Sequence, residues 1–355
     1  MPSIAAASPH YSSGIAVVIP VLDACRTLPT CLRALERLHP SPDEIVLVDN
    51  GSTDGSLELL RSFAARRPER SVRILVETKP GAAAARNCGV LATRRELIAF
   101  TDADCAPETE WLRYLVEPFE EEAVGGVAGR VMPAPPASTL ELFNSLYTLN
   151  LPSRPARSRR WTPWLGGYPT ANLAVRRSLL QQVGGFDESV GIYGEDYDLC
   201  ARLYDQGAEI AYNPAARVAH HHRVRLPGMV RQAFGFGRSH PYLLHRHGGR
   251  SLWVDLPGRS FVWENLPLAG WIDFAAADKK MLTLVAIAAI YHPLLLLLPL
   301  YAGWLGVSSF RRAQRAGLPV SGAGAMQLAT LLLLKSATMS VGRWWGSLRY
   351  GALCF

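Results

Sequence analysis

Apolar runs and helical spacings alternate through the first hundred residues. Residues 15–20 form a β-branched run that Pro20 ends, and residues 44–49, 72–77 and 97–100 repeat the short apolar pattern of buried strands. Between them, Leu28, Cys31, Leu32, Leu35 and Leu38 recur at helical spacing, which predicts a helix over 27–38. Asp54 or Ser52 can cap a second helix over 56–66, and the Lys79-Pro80-Gly81 turn leads into a third over 82–93. Pro107 is placed to open the next helix. Strand and helix in alternation predict an α/β fold with a mostly parallel sheet and helices on both faces.

After Glu122 the pattern loosens. Strands are expected over 126–132, 209–213 and 216–219, and another is entered from Gly166 to Leu173. Residues 139–149 are amphipathic, and residues 153–160, with four arginines among Ser and Pro, read as a mobile loop. Gly184-Gly185-Phe186-Asp187 closes a short helix. Gly191 and Gly194 precede Glu195-Asp196-Tyr197-Asp198, which opens a helix that Gly207 ends. Residues 281–310 and 316–334 contain no Asp, Glu, Lys or Arg, the mark of membrane segments. Pro293 and Pro299 interrupt the first run, as in a kinked span or a re-entrant hairpin.

The expected organisation is a disordered segment (1–14), an α/β domain (15–240), an interfacial amphipathic linker (241–280), membrane helices (281–342) and a tail (343–355). The chain has 355 residues and a net charge of +7, which suits an anionic membrane surface. It lacks the basic-aromatic motifs of nucleic-acid modules, so nucleic acid is not an expected partner. Residues 1–15 carry no charged segment followed by an apolar core, which places the first domain in the cytoplasm, at the inner membrane. Six scattered cysteines without metal spacing read as reduced, buried thiols.

Candidate chemistry collects where strands end. Asp102 and Asp104 follow the strand at 97–100, the place where open α/β sheets bind ligands. Two carboxylates there need a compensating charge, which a divalent cation carrying a diphosphate supplies. Asp49 ends the second strand, where it can accept from a base imide or a ribose hydroxyl, or serve as a turn residue. Pro20-Val21-Leu22-Asp23 stands where a dinucleotide fold would carry Gly-x-Gly-x-x-Gly. Arg86 can reach a phosphate. Glu195 and Asp196 suit a helix N-terminus, but Asp198 exceeds what capping requires. His220-His221-His222 offers metal-ligand chemistry. Arg223, Arg225, Arg231 and Arg238 could meet a lipid phosphate or form a solvated basic face.

In order, the motifs are Val18-Ile19-Pro20, Val48-Asp49-Asn50-Gly51-Ser52-Thr53-Asp54, Ala85-Arg86-Asn87-Cys88-Gly89, Asp102-Ala103-Asp104, Gly184-Gly185-Phe186-Asp187 and Gly194-Glu195-Asp196-Tyr197-Asp198-Leu199. This order resembles the family 2 glycosyltransferases of GT-A fold, over about residues 15–238. The resemblance implies a nucleotide-diphospho-sugar donor, a Mg²⁺ or Mn²⁺ ion and inversion at the anomeric carbon. It implies nucleotide-binding roles for Pro20, Asp49, Arg86 and Asp102. Asp104 is implied as the direct metal ligand, with Asp102 near it and His220, ahead of His222, joining them. Asp196 is implied as the catalytic base, with Glu195 beside it. The family often has a second Asp where this chain has Asn50. Residues 231–238 only loosely match the Gln-x-x-Arg-Trp segment of processive synthases.

The expected reaction is transfer of a sugar to an acceptor hydroxyl, the acceptor being lipid-linked or a cell-envelope glycan delivered at the membrane. The alternatives are a non-catalytic nucleotide-binding subunit of a polysaccharide export system, a processive polysaccharide synthase and a nucleotidyltransferase. If both apolar runs span, the loop with Arg311, Arg312 and Arg315 faces outward, against the positive-inside tendency. A re-entrant first run resolves this conflict and is the expected arrangement.

Overall fold

The computed structural model describes residues 14–67, 71–149, 152–163, 166–190, 193–222 and 225–355. The expected disordered segment lies outside these residues except for Gly14, as do Gly191 and Arg223. The chain opens β1 (Ile15–Val21), α1 (Leu28–Glu36), β2 (Glu44–Asp49), α2 (Ser56–Ala65), β3 (Val72–Val76), α3 (Ala82–Ala92) and β4 (Leu97–Phe100). These four strands are parallel, in the order β3-β2-β1-β4. Side chains alternate across the sheet as the strand period of two requires. Val17, Ile19 and Leu47 pack on one face with Leu32 and Leu35 of α1 and Phe63 of α2. Val18, Val46 and Phe100 pack on the other with Ala85 and Val90 of α3. Both faces are therefore covered, as the apolar runs predict.

Beyond Phe100 the sheet is mixed. It continues through β5 (Cys105–Pro107), α4 (Trp111–Val116), a 3₁₀ turn (Glu117–Glu120), β6 (Val124–Pro133), α5 (Thr139–Tyr147) and β7 (Ala156–Ser158). A second 3₁₀ turn (Thr170–Asn172), β8 (Leu173–Arg176), α6 (Arg177–Gln182), α7 (Glu195–Asp205) and β9 (Glu209–His220) complete it. The nine-stranded order is β3-β2-β1-β4-β8-β6-β9-β5, with β7 also on β9. β8 runs antiparallel to β4, and β5 and β7 antiparallel to β9.

Three local expectations are corrected here. Pro107 ends β5 rather than opening a helix, because Cys105–Pro107 pairs with β9 and α4 begins only at Trp111. Residues 153–160 are not simply a loop: Ala156–Ser158 pairs with β9, and Arg157 and Arg159 hold Glu209 at 2.6 and 2.7 Å. Residues 209–213 and 216–219 are one strand, whose irregular register opposite Gly129 and Arg130 spans Pro214.

α8 (Leu226–His247) runs through the boundary expected at residue 240. The stretch expected as a linker then holds β10 (Leu252–Leu256), β11 (Arg259–Trp263) and β12 (Gly270–Asp273) of a second sheet. α9 (Ala277–Ile290), a 3₁₀ turn (His292–Leu296), α10 (Leu297–Arg315) and α11 (Gly322–Tyr350) follow, and β13 (Leu353–Cys354) closes the second sheet against β12. The expected tail is thus the end of α11 and a paired strand. Pro293 lies at the break between α9 and α10, whereas Pro299 sits in the first turn of α10, where a missing N–H costs nothing.

His292–Arg315 and Gly322–Tyr350 are long and apolar enough to cross a membrane, with mean hydropathies of 1.5 and 1.2. α11 lies directly on α8. A Cβ on Gly237 would collide with the Met339 carbonyl oxygen, one on Gly342 with that of Phe234, and one on Gly346 would lie 2.7 Å from that of Arg238. This glycine seam brings the two backbones together and ties an apolar helix to the helix that borders the site.

Candidate active site

The carboxyl ends of β1, β2 and β4 open onto a cavity of about 980 Å³, lined by Pro20, Asn50, Arg86, Asp102, Asp104 and Asp196 among others. β4 ends at Phe100, and the Asp102 carbonyl accepts from the Cys105 amide at 2.9 Å, turning the chain into β5. β5 pairs with β9 so that Cys105 stands opposite His220. This pairing brings His220 Nε2 to 3.5 Å from Asp104 Oδ2.

Donor atoms of Asp104, Cys105 and His220 lie within 4.8 Å of one another. Burial pushes the Cys105 thiol well above its usual value, with Asp104 and Asp102 adding to the rise, so it stays protonated and is a poor ligand for a hard cation. The carboxylate and imidazole remain as ligands. His220 Nδ1 lies 3.2 Å from His222 Nδ1. With His220 donating in that bond, its Nε2 carries the lone pair that faces Asp104. His222 is held neutral: burial, and after it the neighbouring His220 and Lys335, lower it to about 3. One carboxylate and one imidazole, open to the cavity, fit a Mg²⁺ or Mn²⁺ ion that keeps positions for phosphate oxygens and water.

Asp102 does not belong to that donor cluster. Its Oδ1 accepts from Arg86 at 2.8 Å, and the other arm of Arg86 donates to Glu195 Oε1 at 2.9 Å. Arg86 is buried, under the Phe186 ring at 5.6 Å from its centroid. Arg86, read from the sequence as able to reach a phosphate, lines the cavity with its guanidinium joining the end of β4 to the start of α7 and two carboxylates sharing its charge. Arg26, Arg225 and Arg231, which also line the cavity, reach no carboxylate among the described residues and are the cations free for a diphosphate. Of the basic residues at 223–238, read from the sequence as meeting a lipid phosphate or forming a solvated face, Arg225 and Arg231 line this cavity together with Asp104.

Asp196 differs from its neighbour. Its Oδ1 accepts from the Tyr197 amide at 2.9 Å, and no side chain pairs with it among the described residues. Burial pushes its carboxyl up to about 7, the adjacent Glu195 carboxylate adds to the rise, and Arg86 opposes it. Burial and the Glu195 charge thus make Asp196 hold a proton more tightly than an ordinary carboxylate, which suits a general base. Glu195 is also raised by burial, with Arg86 working against the shift.

Asp198, the third acid, faces away from the chemistry. It is fully buried, accepting from Arg202 at 2.8 Å and His247 at 2.9 Å and lying 3.2 Å from Arg246, which fastens α7 to α8. Those partners hold its carboxyl below the usual range against the cost of burial. The 184–187 motif supports the same region. Gly185 has φ +74°, and a Cβ there would meet Asn87 Oδ1 at 2.5 Å. The Asn87 amide spans the turn, donating to the Phe186 carbonyl at 2.9 Å and accepting its N–H at 2.8 Å.

Asp49 stands behind the cavity wall. Its Oδ2 accepts from the Gly51 and Ser52 amides, while its buried Oδ1 has no partner, an acceptor left over for a ligand. Asn50 donates to the Glu77 and Lys79 carbonyls and accepts from the Gly81 amide. Clamping that loop takes a group that both donates and accepts, which explains an amide here in place of a second acid.

Residues 16–184 match the family model described as Glycosyl transferase family 2. The chain is 32% identical over 251 residues to a pre-mycofactocin glycosyltransferase of Mycobacterium tuberculosis, covering 69% of this chain and 50% of that protein. It is 30% identical over 203 residues to the glycosyltransferase AglE of Haloferax volcanii, covering 56% and 64% respectively. The chain thus spans between half and two thirds of the length of these relatives. Among solved structures, the mannosyltransferase PcManGT of Pyrobaculum calidifontis, in complex with GDP-Man and Mn²⁺, superposes with a TM-score of 0.57 at 20% identity, covering 93% of this chain and 87% of that one.

Proposed function

We propose that this chain, which belongs to the family 2 glycosyltransferases, transfers a sugar from a nucleotide-diphospho-sugar to an acceptor hydroxyl with inversion. One observation carries the assignment of the base: Asp196 lines the donor cavity with no cation paired to it among the described residues, whereas Glu195 beside it is held by Arg86. Asp196 takes the proton of the acceptor hydroxyl as the hydroxyl oxygen bonds to the anomeric carbon. The bond from that carbon to the diphosphate breaks, and its electron pair leaves with the nucleotide. One displacement inverts the centre.

Arg26, Arg225 and Arg231 bind the diphosphate, Pro20 and Asn50 border the nucleotide, and Asp49 offers its free oxygen to the base or ribose. Asp104 and His220 would hold a Mg²⁺ or Mn²⁺ ion, which supplies positive charge against the leaving diphosphate. PcManGT, on the same fold, is recorded with GDP-Man and Mn²⁺. In this reading the protein works at the inner membrane with its α/β domain in the cytoplasm, which the two apolar helices support, and the acceptor is a lipid-linked or cell-envelope glycan precursor.

The test is release of nucleotide from a panel of UDP-, GDP- and dTDP-sugars by detergent-purified protein, with Mn²⁺ and with EDTA. Metal-dependent cleavage of one donor class is the expected result. No cleavage and no metal-dependent binding of any nucleotide would overturn the proposal.

A further inference from the structure

A second cavity, of about 850 Å³, lies on the other side of Asp196. It shares Asp196, Leu149, Pro169 and Phe236 with the donor cavity, so the proposed base stands in the wall common to both. Leu149 holds φ +56° at this junction, an unusual conformation for a leucine. The far wall comes from the two long apolar helices, with Trp304 and Leu305 of α10 and Leu332 and Met339 of α11.

The charges lining this second cavity do not balance. Arg343 pairs with Asp273 at 3.1 Å, and Arg157 with Glu121 and Glu209. Among the described lining residues, Asp196 is the one remaining acid. Lys280, Arg312 and Lys335 have no carboxylate partner among the described residues. The Lys335 ammonium donates only to neutral oxygens, the Tyr147 carbonyl at 2.7 Å and Thr148 Oγ1 at 2.8 Å, and Arg312 lies over the Tyr147 ring at 4.8 Å. Three unneutralised cations beside apolar helices create a field that favours an anion, and the surrounding apolar wall favours a chain.

We infer that this cavity is the acceptor chamber and that it takes an anionic amphiphile. Its charged group sits at Arg312 and Lys335, its hydrocarbon lies along α10 and α11, and its hydroxyl reaches Asp196. The acceptor role rests on Asp196 being the base; the ligand class rests on the cavity alone.

The two are separated by measuring both ligands on one protein. Decyl phosphate, decyl glucoside and inorganic phosphate are titrated into the full chain in non-ionic detergent, and nucleoside diphosphate binding with Mn²⁺ is measured beside them. Wild type is expected to bind decyl phosphate at least 10-fold more tightly than either control. R312Q/K335Q should lose that preference, and R312K/K335R should retain it. Lys280→Gln, at an amine that makes no protein hydrogen bond, should weaken decyl phosphate binding about 3-fold even if the double variant fails to fold. Equal binding of decyl glucoside, or of inorganic phosphate, overturns the ligand class, as does unchanged binding by both R312Q/K335Q and Lys280→Gln. Absence of Mn²⁺-dependent nucleotide binding in wild type would instead overturn the donor site.

Discussion

Arg86 donates to Glu195 at 2.9 Å, and the next residue, Asp196, faces the cavity without such a partner. Two adjacent acids therefore differ in role. Glu195 is anchored and its charge is answered. Asp196 keeps a labile proton, because burial and the Glu195 charge both disfavour its ionised form.

The pH profile follows from that proton. As the proposed base, Asp196 has to be ionised to take the proton, so kcat/KM should fall below about pH 7 with a slope near one and level off above it. Rates measured between pH 5 and pH 9 check this. A profile flat across that range would remove Asp196 as the base.

Stability should move the opposite way. An acid whose folded value lies above its unfolded one stabilises the fold at low pH, and that contribution is lost as the pH rises through about 7. Asp196→Asn should therefore melt higher than wild type at pH 8, with the gap closing toward pH 5. A gain of 1 kcal/mol corresponds to roughly 1–2 °C for a chain of 355 residues, which scanning calorimetry resolves.

His222 acts through His220. Its ring fixes the orientation and tautomer of the neighbouring imidazole. Replacing it with alanine should weaken Mn²⁺ binding by about 10–100-fold, read by titration with nucleotide present. Nucleotide binding without metal should not change.

Asp198 is a stability residue. Asp198→Ala leaves the largely buried Arg202 without its carboxylate, while Arg246 keeps Asp187, at a cost of about 3–5 kcal/mol. Denaturant unfolding measures it, and a loss below about 1 kcal/mol would contradict the role.

The sequence carries the first four strands because each is a continuous apolar run with polar residues at its end, and it carries Asp104 and Asp196 because they stand at a strand end and a helix start. It does not carry the partners. Arg86 meets Glu195 across 109 residues of chain, and His220 meets Asp104 only through the β5–β9 pairing. β5 and β7 have three residues each, too few to show a period, and Pro107 disguises the first as a helix start. The second sheet closes with Leu353–Cys354 far along the chain, so β12 reads locally as linker. Asp198 shares a motif with Asp196 but falls on the buried side of α7, a separation set by the packing of α8.

The most direct test compares wild type with Asp196→Ala on the donor that wild type cleaves, with Mn²⁺, measuring transfer rate and nucleotide affinity on the same preparations. Transfer should fall by about 10²–10⁴-fold while affinity stays within about 2-fold. Transfer at the wild-type rate by Asp196→Ala would contradict the account.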